Sequence, residues 1–416
     1  MVRVPANPTN ISYPDFYRNV TPIDVALNDP YCDIKNTEVH YPMRYLGRFP
    51  LPPIVGAPLP PEILRGVSLK DFWTDGLEDP NLNNCASENL HAAYIQTLRR
   101  VKLLGADYIS VVSWATLKDA TAAVPQLDLP NPEIPNTEMA FIARKARQYG
   151  LKVFLHINIP SADMLGNPLP KPPTREWYAA LLSSYTTFIV QRAKQAQKYG
   201  IEGLMLNNFD YEFDLAEYQD LVDAHLSSAL QRVREVYDGK IILYDAWGFD
   251  VTSLQSVVPN VDYVLFNLGQ PWLLTKRGNA NLTPRKLVRK YNEQIDWIVS
   301  RYGPYQKPVV VRLFVQSHRN FLKNGWIEDA FCVDDCIQRS VKTDFSVQAI
   351  AYEAAFEALS QAHNRGLTIH AIIPDAYWFT DTVLPKDSFP NLSQSFRNKP
   401  AESIVYHWFS REFGER

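Results

Sequence analysis

The hydrophobic and polar positions repeat one arrangement along the chain, in which a helical stretch ends at a glycine and an apolar, β-branched run follows. Glycine closes helices in the left-handed conformation at low cost, and continuous apolar runs are typical of strands buried on both faces of a parallel sheet. The arrangement occurs six times, at Gly105, Gly150, Gly200, Gly239, Gly303 and Gly366, followed by DYISVVS, LKVFLHI, IEGLML, KIILYD, YQKPVVVRL and LTIHAII. Two further runs, Ile63–Leu69 and Val261–Asn267, bring the predicted strands to eight.

The stretches between these strands have the period of amphipathic helices. Apolar side chains recur at three- and four-residue steps at Leu90, Tyr94, Leu98, Val101 and Leu104, and again at Trp177, Leu181, Tyr185, Phe188 and Tyr199. Eight strands alternating with helices predict the α/β class and a single (β/α)8 TIM barrel over residues 61–416. Residues 1–60 are rich in Pro, Tyr and Asn without a sustained period, so we interpret them as an irregular N-terminal arm packed on the barrel.

Polar and aromatic residues gather where the predicted strands end, at the face on which such barrels carry their sites. The carboxylates among them, which are the catalytic candidates, are Asp210, Glu212, Asp245 and Asp375. The candidates for substrate binding are Trp73, Trp114, His156, Asn158, Asn207, Asn208, Trp247, Asn267, Trp272, Arg312, Gln316, Tyr377 and Trp378. Indole rings stack on the apolar faces of sugars, and amides and imidazoles bind hydroxyl groups, so this set indicates a carbohydrate cleft.

Each candidate also has a purely structural interpretation. A tryptophan at a strand end can close the barrel rim, and His156 can be a hydrogen-bonded histidine of the core. Asp210 and Asp214 can belong to the first turn of the following helix, where carboxylates cap free amides. Arg312 ends an apolar strand and needs an anion, which is either a carboxylate inside the barrel or one on the substrate.

Composition and charge narrow the class of protein. Of the 416 residues, 46% are hydrophobic and 21% are charged, which is typical of a globular protein. The formal net charge of −3 does not provide the positive surface that nucleic-acid binding needs, so no nucleic-acid partner is predicted. No apolar run of about 18 residues predicts a membrane span. We expect a monomer or a simple homo-oligomer whose partner is an oligosaccharide or polysaccharide substrate.

The four cysteines and the N-terminal segment bear on the cellular location of the protein. Cys32, Cys85, Cys332 and Cys336 fit two disulfides, in which Cys332 and Cys336 are bonded to each other or to the remaining pair. The first thirty residues lack the apolar run of a signal peptide, so the chain is either the mature form of a secreted or extracytoplasmic protein, which we favour, or a cytoplasmic protein. No glycine-rich phosphate loop and no Cys/His cluster with metal-ligand spacing occurs, so neither a cofactor nor a metal is predicted.

Several segments resemble the retaining (β/α)8 glycoside hydrolases of clan A, and most nearly the β-mannanases of glycoside hydrolase family 113. The similar segments are YISVVSWATL, residues 199–248, VDYVLFNLG, KPVVVRLFVQS, SVQAIAYEAAFEAL and NKPAESIVYHWF, and the resemblance as a whole covers the chain from Arg65 to its end. The resemblance implies glycoside hydrolysis at the C-terminal face of the barrel, with an acid/base glutamate after the fourth strand and a nucleophilic glutamate after the seventh.

This chain departs from the family at both glutamates. The corresponding positions are Asn208-Phe209-Asp210 and Arg312-Leu313-Phe314. Hydrolysis of a glycosidic bond needs two carboxyl groups, about 5 Å apart for retention and about 6.5–9.5 Å apart for inversion. The sequence therefore predicts a glycoside hydrolase with a displaced carboxylate pair.

For this pair we favour Asp210 as the general acid, with Glu212 as its alternative. Asp375 is preferred over Asp245 as the partner, because the eighth strand neighbours the vacated seventh position, and Arg312 then holds that partner ionised. The alternatives are a catalytically silent carbohydrate-binding barrel, and a lyase or transglycosylase acting on an anionic glycan.

Overall fold

The computed structural model describes most of the chain from Gly56 to Ser410. The described residues are 56, 58–69, 87–115, 117–127, 136–158, 174–207, 218–244, 257–269, 283–324, 342–377, 392–397 and 399–410.

Eight parallel strands close into a barrel in the order of the sequence. They are β1 (Leu64–Ser68), β2 (Tyr108–Trp114), β3 (Lys152–Asn158), β4 (Gly203–Asn207), β5 (Lys240–Tyr244), β6 (Tyr263–Leu268), β7 (Val309–Leu313) and β8 (Ile369–Pro374). All eight coincide with predicted strands and differ at the ends by a few residues, because the residue after a glycine cap often still bonds back to the preceding helix. Leu151, for example, donates its N–H to the carbonyl of Ala146 before β3 begins.

Helices follow most of the strands along the chain. They are α1 (Ser87–Leu103), α2 (Asn136–Gln148), α3 (Arg175–Tyr199), α4 (Gln219–Arg234), α5 (Pro284–Tyr302), the short α6 (Phe321–Asn324), α7 (Phe345–Asn364) and α8 (Pro400–Phe409). Single 3-10 turns lie at Val258–Asn260 and Gly303–Tyr305. The alternation confirms the predicted (β/α)8 fold.

Helix α3 shows how the sequence sets the limits of an element. The hydroxyl of Thr174 accepts the N–H of Trp177 and caps the first turn. At the other end Gly200 has φ 67° and donates to the carbonyls of Ala196 and Gln197, as the sequence predicts for a glycine cap. Among the six predicted caps, Gly105, Gly150 and Gly366 are also left-handed, whereas Gly239 and Gly303 are not, and Gly303 starts a 3-10 turn.

The predicted helix stripes and the strands form the core. Tyr94, Leu98, Val101 and Leu104 of the first stripe are completely buried, and so are the central residues of every strand. In the second stripe Trp177, Leu181, Tyr185 and Phe188 are buried, and Tyr199 is half-buried. Continuous burial along a strand means that both of its faces are covered, which the uninterrupted apolar runs predict.

The chain divides into two compact units. The first consists of the described residues of Met1–Asp107, Asn267–Arg301 and Val311–Arg416, and in it β1 and β8 are parallel with Leu64 opposite Ala371. The second consists of the described residues of Tyr108–Phe266 and Tyr302–Val310, and its strands β2 to β5 are paired in parallel along the sheet. The predicted division into an arm at 1–60 and a barrel at 61–416 stays a prediction, since residues 1–55 lie outside the described ones.

Two further predictions concern membranes and disulfides. None of the helices in the described ranges combines the length and the apolar character that crossing a bilayer requires. Cys32, Cys85, Cys332 and Cys336 all lie outside the described residues, so their pairing stays a prediction.

Candidate functional site

An ion pair joins the C-terminal ends of two neighbouring strands, β7 and β8. Arg312 of β7 donates from Nε to Oδ1 of Asp375 over 2.6 Å, and its Nη2 contacts the same oxygen. Asp375 directly follows β8 and is fully buried, whereas Arg312 is half-buried. Of the two interpretations of Arg312, the structure shows the ion pair with a carboxylate of the barrel. The contact itself was predictable from the adjacency of the seventh and eighth strands.

The two oxygens of the Asp375 carboxylate differ in their surroundings. Oδ1 makes both contacts with Arg312, and Oδ2 is buried without a hydrogen-bond partner among the described residues. The backbone N–H of Asp375 donates to the carbonyl of Leu313 over 2.9 Å, which fixes the main chain beneath the carboxylate. A buried oxygen without a donor costs free energy, so Oδ2 is an acceptor for any hydroxyl donor that reaches it.

Tyr352 on α7 lies close enough to this carboxylate for the charge of Asp375 to affect its hydroxyl. Burial raises the pKa of the Tyr352 hydroxyl well above its usual value, and the negative charge of Asp375 raises that pKa further. The phenol therefore stays protonated, and able to donate a hydrogen bond, throughout the neutral pH range.

Tyr377 lies two residues after Asp375 and is tied into a buried network. Its hydroxyl donates to Glu402 of α8, and Glu402 accepts two hydrogen bonds from Arg100 of α1, at 3.0 and 2.8 Å. The guanidinium of Arg397 lies over the tyrosine ring, 5.3 Å from its centroid. Burial raises the pKa of the Tyr377 hydroxyl well above its usual value, Arg100 lowers it and Glu402 raises it. The hydroxyl predicted to bind substrate thus donates to a side chain of the protein.

Amide and imidazole groups lie at the ends of β3 and β4, and a tyrosine ends β5 beside them. The Nδ2 of Asn207 donates to Oδ1 of Asn158 over 2.6 Å, and both side chains are buried. The ring of His156 packs edge-on against Tyr244, with 4.6 Å between the centroids. The register explains the grouping, because Asn207 is opposite Tyr244 and His156 is two residues before Asn158. The structure therefore brings together three of the predicted binding residues, His156, Asn158 and Asn207.

The remaining described candidates differ in exposure. Trp114 ends β2 and is half-buried, which leaves part of its ring accessible. Asn267 is buried on β6, and its carbonyl accepts from Nε2 of Gln294 over 3.4 Å. Gln316 follows β7 and is fully buried. The other candidates lie outside the described residues, namely Asp210, Glu212, Asp245, Trp73, Asn208, Trp247, Trp272 and Trp378.

The structure also places residues near these groups that the sequence analysis did not single out. Tyr244 ends β5 one position before the candidate Asp245, so the strand-end rule applied one residue earlier finds it. Tyr352 and Glu402 have no comparable signal, because they lie within helices and not at strand ends. In the described part of the chain no three His, Cys, Asp or Glu side chains come together as a metal site.

Comparisons with known proteins bear on the fold. No family model matches the chain. No curated protein matches it either. Solved structures do match. A GH113 β-1,4-mannanase superposes with a TM-score of 0.57 and 15% identity, over 85% of this chain and all (100%) of the other. A GH113 β-mannanase from Alicyclobacillus acidocaldarius, in complex with ManMIm, gives a TM-score of 0.52 and 15% identity, over 84% of this chain and 96% of the other.

A more distant family has the same architecture. A glycoside hydrolase of family 5, subfamily 18, from Bifidobacterium longum has a TM-score of 0.51 and 10% identity, over 85% of this chain and 80% of the other. Identities this low show the fold, and at that level the resemblance predicted from the sequence is confirmed. The chain has the (β/α)8 fold of the clan A glycoside hydrolases and resembles the GH113 mannanases.

Proposed function

We propose that this protein is a glycoside hydrolase that acts on a polysaccharide or oligosaccharide at the C-terminal ends of the barrel strands. Three observations support the proposal: the fold is that of glycoside hydrolases, polar groups occupy the ends of β3, β4, β7 and β8, and one buried carboxylate oxygen has no donor. The first observation carries the proposal.

Asp375 is the carboxylate on which the chemistry depends. The ion pair with Arg312 compensates the negative charge of the buried group at Oδ1 and leaves Oδ2 as an acceptor. A base must accept a proton from water, and a nucleophile must present a lone pair to the anomeric carbon, so Oδ2, which is buried in this structure, takes either role only when substrate binding exposes it. The distance to the second carboxylate decides between retention and inversion.

The acid is proposed to come from the segment after β4. Asp210 is the first choice and Glu212 the second, because they follow the strand on which the resembling family carries its acid/base residue. Asp245, after β5, is the alternative partner to Asp375. Asn158, Asn207 and His156 would bind sugar hydroxyls, and the exposed part of Trp114 would stack on a sugar ring.

A catalytically silent carbohydrate-binding barrel is the second candidate, and a specific observation favours it. Leu313 stands where the resembling family has its nucleophile, and it is completely buried with no group to form a covalent bond. Asp375 is itself fully buried. A barrel that keeps the amides and Trp114 but lacks a carboxylate pair would bind glycans without cleaving them.

The experiment compares carboxylate variants on one defined substrate. β-1,4-mannan and mannohexaose are tested first, because β-1,4-mannanases share the fold, followed by a panel of other β-linked glycans. Asp375→Asn, Asp210→Asn and Glu212→Gln are assayed beside Asp107→Asn. Asp107 is a matched control, since it also pairs with an arginine, Arg65, but lies before β2 at the opposite end of the strands.

We expect Asp375→Asn and one of the two acid variants to lower turnover by about 100-fold or more while Asp107→Asn retains it. Retention of nearly full activity by Asp375→Asn would remove Asp375 from the reaction. Binding of mannohexaose by the wild-type protein without release of any product over the whole panel would favour the silent barrel.

A further inference from the structure

One residue beside the Asp375 carboxylate has a backbone conformation that its side chain disfavours. Ala376 has φ 56°, in the left-handed region, and it is one of two non-glycine residues in the described ranges with a positive φ. A Cβ atom crowds the following carbonyl oxygen in this conformation, so an alanine stays there only if its surroundings hold it. The residues on either side of Ala376 supply that restraint.

The restraint on the N-terminal side comes from Asp375. Its N–H donates to the carbonyl of Leu313 over 2.9 Å, and its side chain is paired with Arg312. Both contacts join the end of β8 to β7. These contacts fix the position of the carboxylate. They do not fix the direction of the chain after Asp375.

The restraint on the C-terminal side comes from Tyr377. Its N–H donates to the carbonyl of Ser68 over 2.7 Å, and its hydroxyl donates to Glu402. The phenol ring packs against Phe396 at a centroid distance of 4.9 Å. Tyr377 is therefore held at its backbone, its ring and its hydroxyl, all of them buried.

Glu402 can restrain the tyrosine because it is itself held. Arg100 makes a two-pronged ion pair with it, and the side chains of Arg100, Glu402 and Tyr377 are at most 2% exposed. Arg397 covers the tyrosine ring and bonds to the hydroxyl of Thr97 over 2.9 Å. Charged hydrogen bonds in a buried setting are the strong ones, so this network keeps Tyr377 from moving.

We propose that Tyr377, held by the buried Glu402–Arg100 pair, is a positioning residue that keeps Ala376 left-handed and thereby keeps the Asp375 carboxylate on Arg312. Residue 376 connects two anchored residues, Asp375 and Tyr377, and its φ and ψ are the dihedrals that must fit between them. If the hydroxyl anchor is lost, the strain at Ala376 is opposed only by the backbone bond to Ser68 and the ring contact with Phe396, and we expect it to overcome them, so that Ala376 relaxes to an extended conformation and the Asp375 carboxylate turns with it. The inference rests on the proposed function only in assigning the chemistry to Asp375; the positioning itself does not depend on an activity.

The test uses Tyr377→Phe, which removes the hydroxyl and keeps the ring. Crystal structures of the wild type and the variant give φ at residue 376 and the distance from Arg312 Nε to Asp375 Oδ1. We expect a negative φ at 376 in the variant and a separation beyond hydrogen-bond range. Tyr237→Phe is the control, because it removes another buried tyrosine hydroxyl, one that donates to the carbonyl of Ile201 over 2.9 Å, and should change neither quantity.

A second substitution separates positioning from a general loss of stability. Glycine enters the left-handed region freely, so Ala376→Gly combined with Tyr377→Phe should recover the contact between Arg312 and Asp375 at least in part. On mannohexaose, Tyr377→Phe should lower kcat about 10-fold or more with KM within about twofold, and the double variant should regain part of kcat. In a protein that is merely destabilised, Arg312 still contacts Asp375 in the Tyr377→Phe structure, so glycine has no lost contact to restore.

Two outcomes overturn the inference. The first is a Tyr377→Phe structure in which Ala376 stays left-handed and Arg312 still contacts Asp375. The second is a double variant without any recovery. If Tyr377→Phe does not fold, Glu402→Gln is used in its place, because loss of the charged pair with Arg100 loosens the side chain that accepts from the tyrosine hydroxyl. If no glycan is turned over, the proposed function fails, while the two structural measurements still decide the positioning.

Discussion

The Nδ1 atom of His225 lies 2.6 Å from the hydroxyl oxygen of Thr186, between α3 and α4. The same hydroxyl donates to the carbonyl of Leu182 over 3.1 Å, so one threonine side chain links His225 of α4 to the backbone of α3. Burial lowers the pKa of His225 to about 3. This histidine therefore stays neutral in the folded protein over several pH units in which it is charged in the unfolded chain.

We expect the free energy of unfolding to fall as the pH decreases from about 6.5 towards 3. In that window the unfolded state binds a proton at His225 and the folded state does not. His225→Leu should remove this dependence, so the stability difference between wild type and variant should shift by up to about 3 kcal/mol between pH 7 and pH 4. Urea unfolding of both proteins at four pH values measures this difference. Parallel curves for wild type and His225→Leu would contradict the prediction.

Lys399 should make the free energy of unfolding depend on pH in the alkaline range. Its Nζ donates to the hydroxyl of Ser317 over 2.8 Å and to the carbonyl of Ser393 over 3.1 Å, and burial lowers the pKa of the amine well below its usual value. The unfolded chain then binds more protons up to about pH 10.4, so the free energy of unfolding should rise with pH from 7 towards 10. Lys399→Met should flatten this rise, and the exposed Lys198→Met should preserve it. A wild-type protein equally stable at pH 7 and 9.5 would count against a buried, desolvated amine.

Two residues with a positive φ, Ala376 and Gly200, should respond in opposite ways to exchange between glycine and alanine. Ala376→Gly should raise the free energy of unfolding by up to about 1 kcal/mol, because relief of the left-handed strain exceeds the entropy lost by glycine. Gly200→Ala should lower it by about 1–2 kcal/mol, since its φ is 67° and an added Cβ would lie 2.6 Å from Nη2 of Arg147. Chemical unfolding measures both. The same sign for the two substitutions would show that backbone conformation does not control these sites.

The buried pair of Arg100 and Glu402 should be costly to break one side at a time. Arg100→Met leaves Glu402 buried without its partner and should cost about 3–5 kcal/mol, whereas the double variant Arg100→Met/Glu402→Leu should recover part of that loss. A double-mutant cycle by urea unfolding measures the coupling. Arg175→Met, in the exposed pair with Asp220, should change stability little. Strict additivity of the two buried substitutions would contradict the prediction.

Trp114 should contribute to saccharide binding through its exposed part. Trp114→Ala should weaken binding of mannohexaose by about 1–3 kcal/mol and leave the melting temperature nearly unchanged. Isothermal titration calorimetry measures the affinity. Trp297→Ala is the control, because Trp297 is exposed on α5 and lies beside Arg301, away from the strand ends. Unchanged affinity with a large fall in melting temperature would assign Trp114 to the core.

Local patterns in the sequence determined the strands, most helix ends and the fold class. Glycine after a helical period and an uninterrupted apolar run are effects of neighbours in the chain, so IEGLML after Gly200 could be recognised as β4 without any knowledge of its partners. Strand order then follows from the repeated alternation of strand and helix. That is why the contact between Arg312 and Asp375, on neighbouring strands, was predictable although the two residues are 63 positions apart.

Only the tertiary structure decided how the side chains at the strand ends are used. Arg100 and Glu402 are 302 positions apart on two helices, and neither position carries a periodic or motif signal that would pair them. Their pairing orients Tyr377, which a strand-end rule assigns to substrate although its hydroxyl donates to Glu402. Strand-end position says that a side chain lies near the barrel mouth, whereas its hydrogen-bond partner depends on packing against distant helices. The strained conformation of Ala376 has the same origin, since no local preference of alanine produces it.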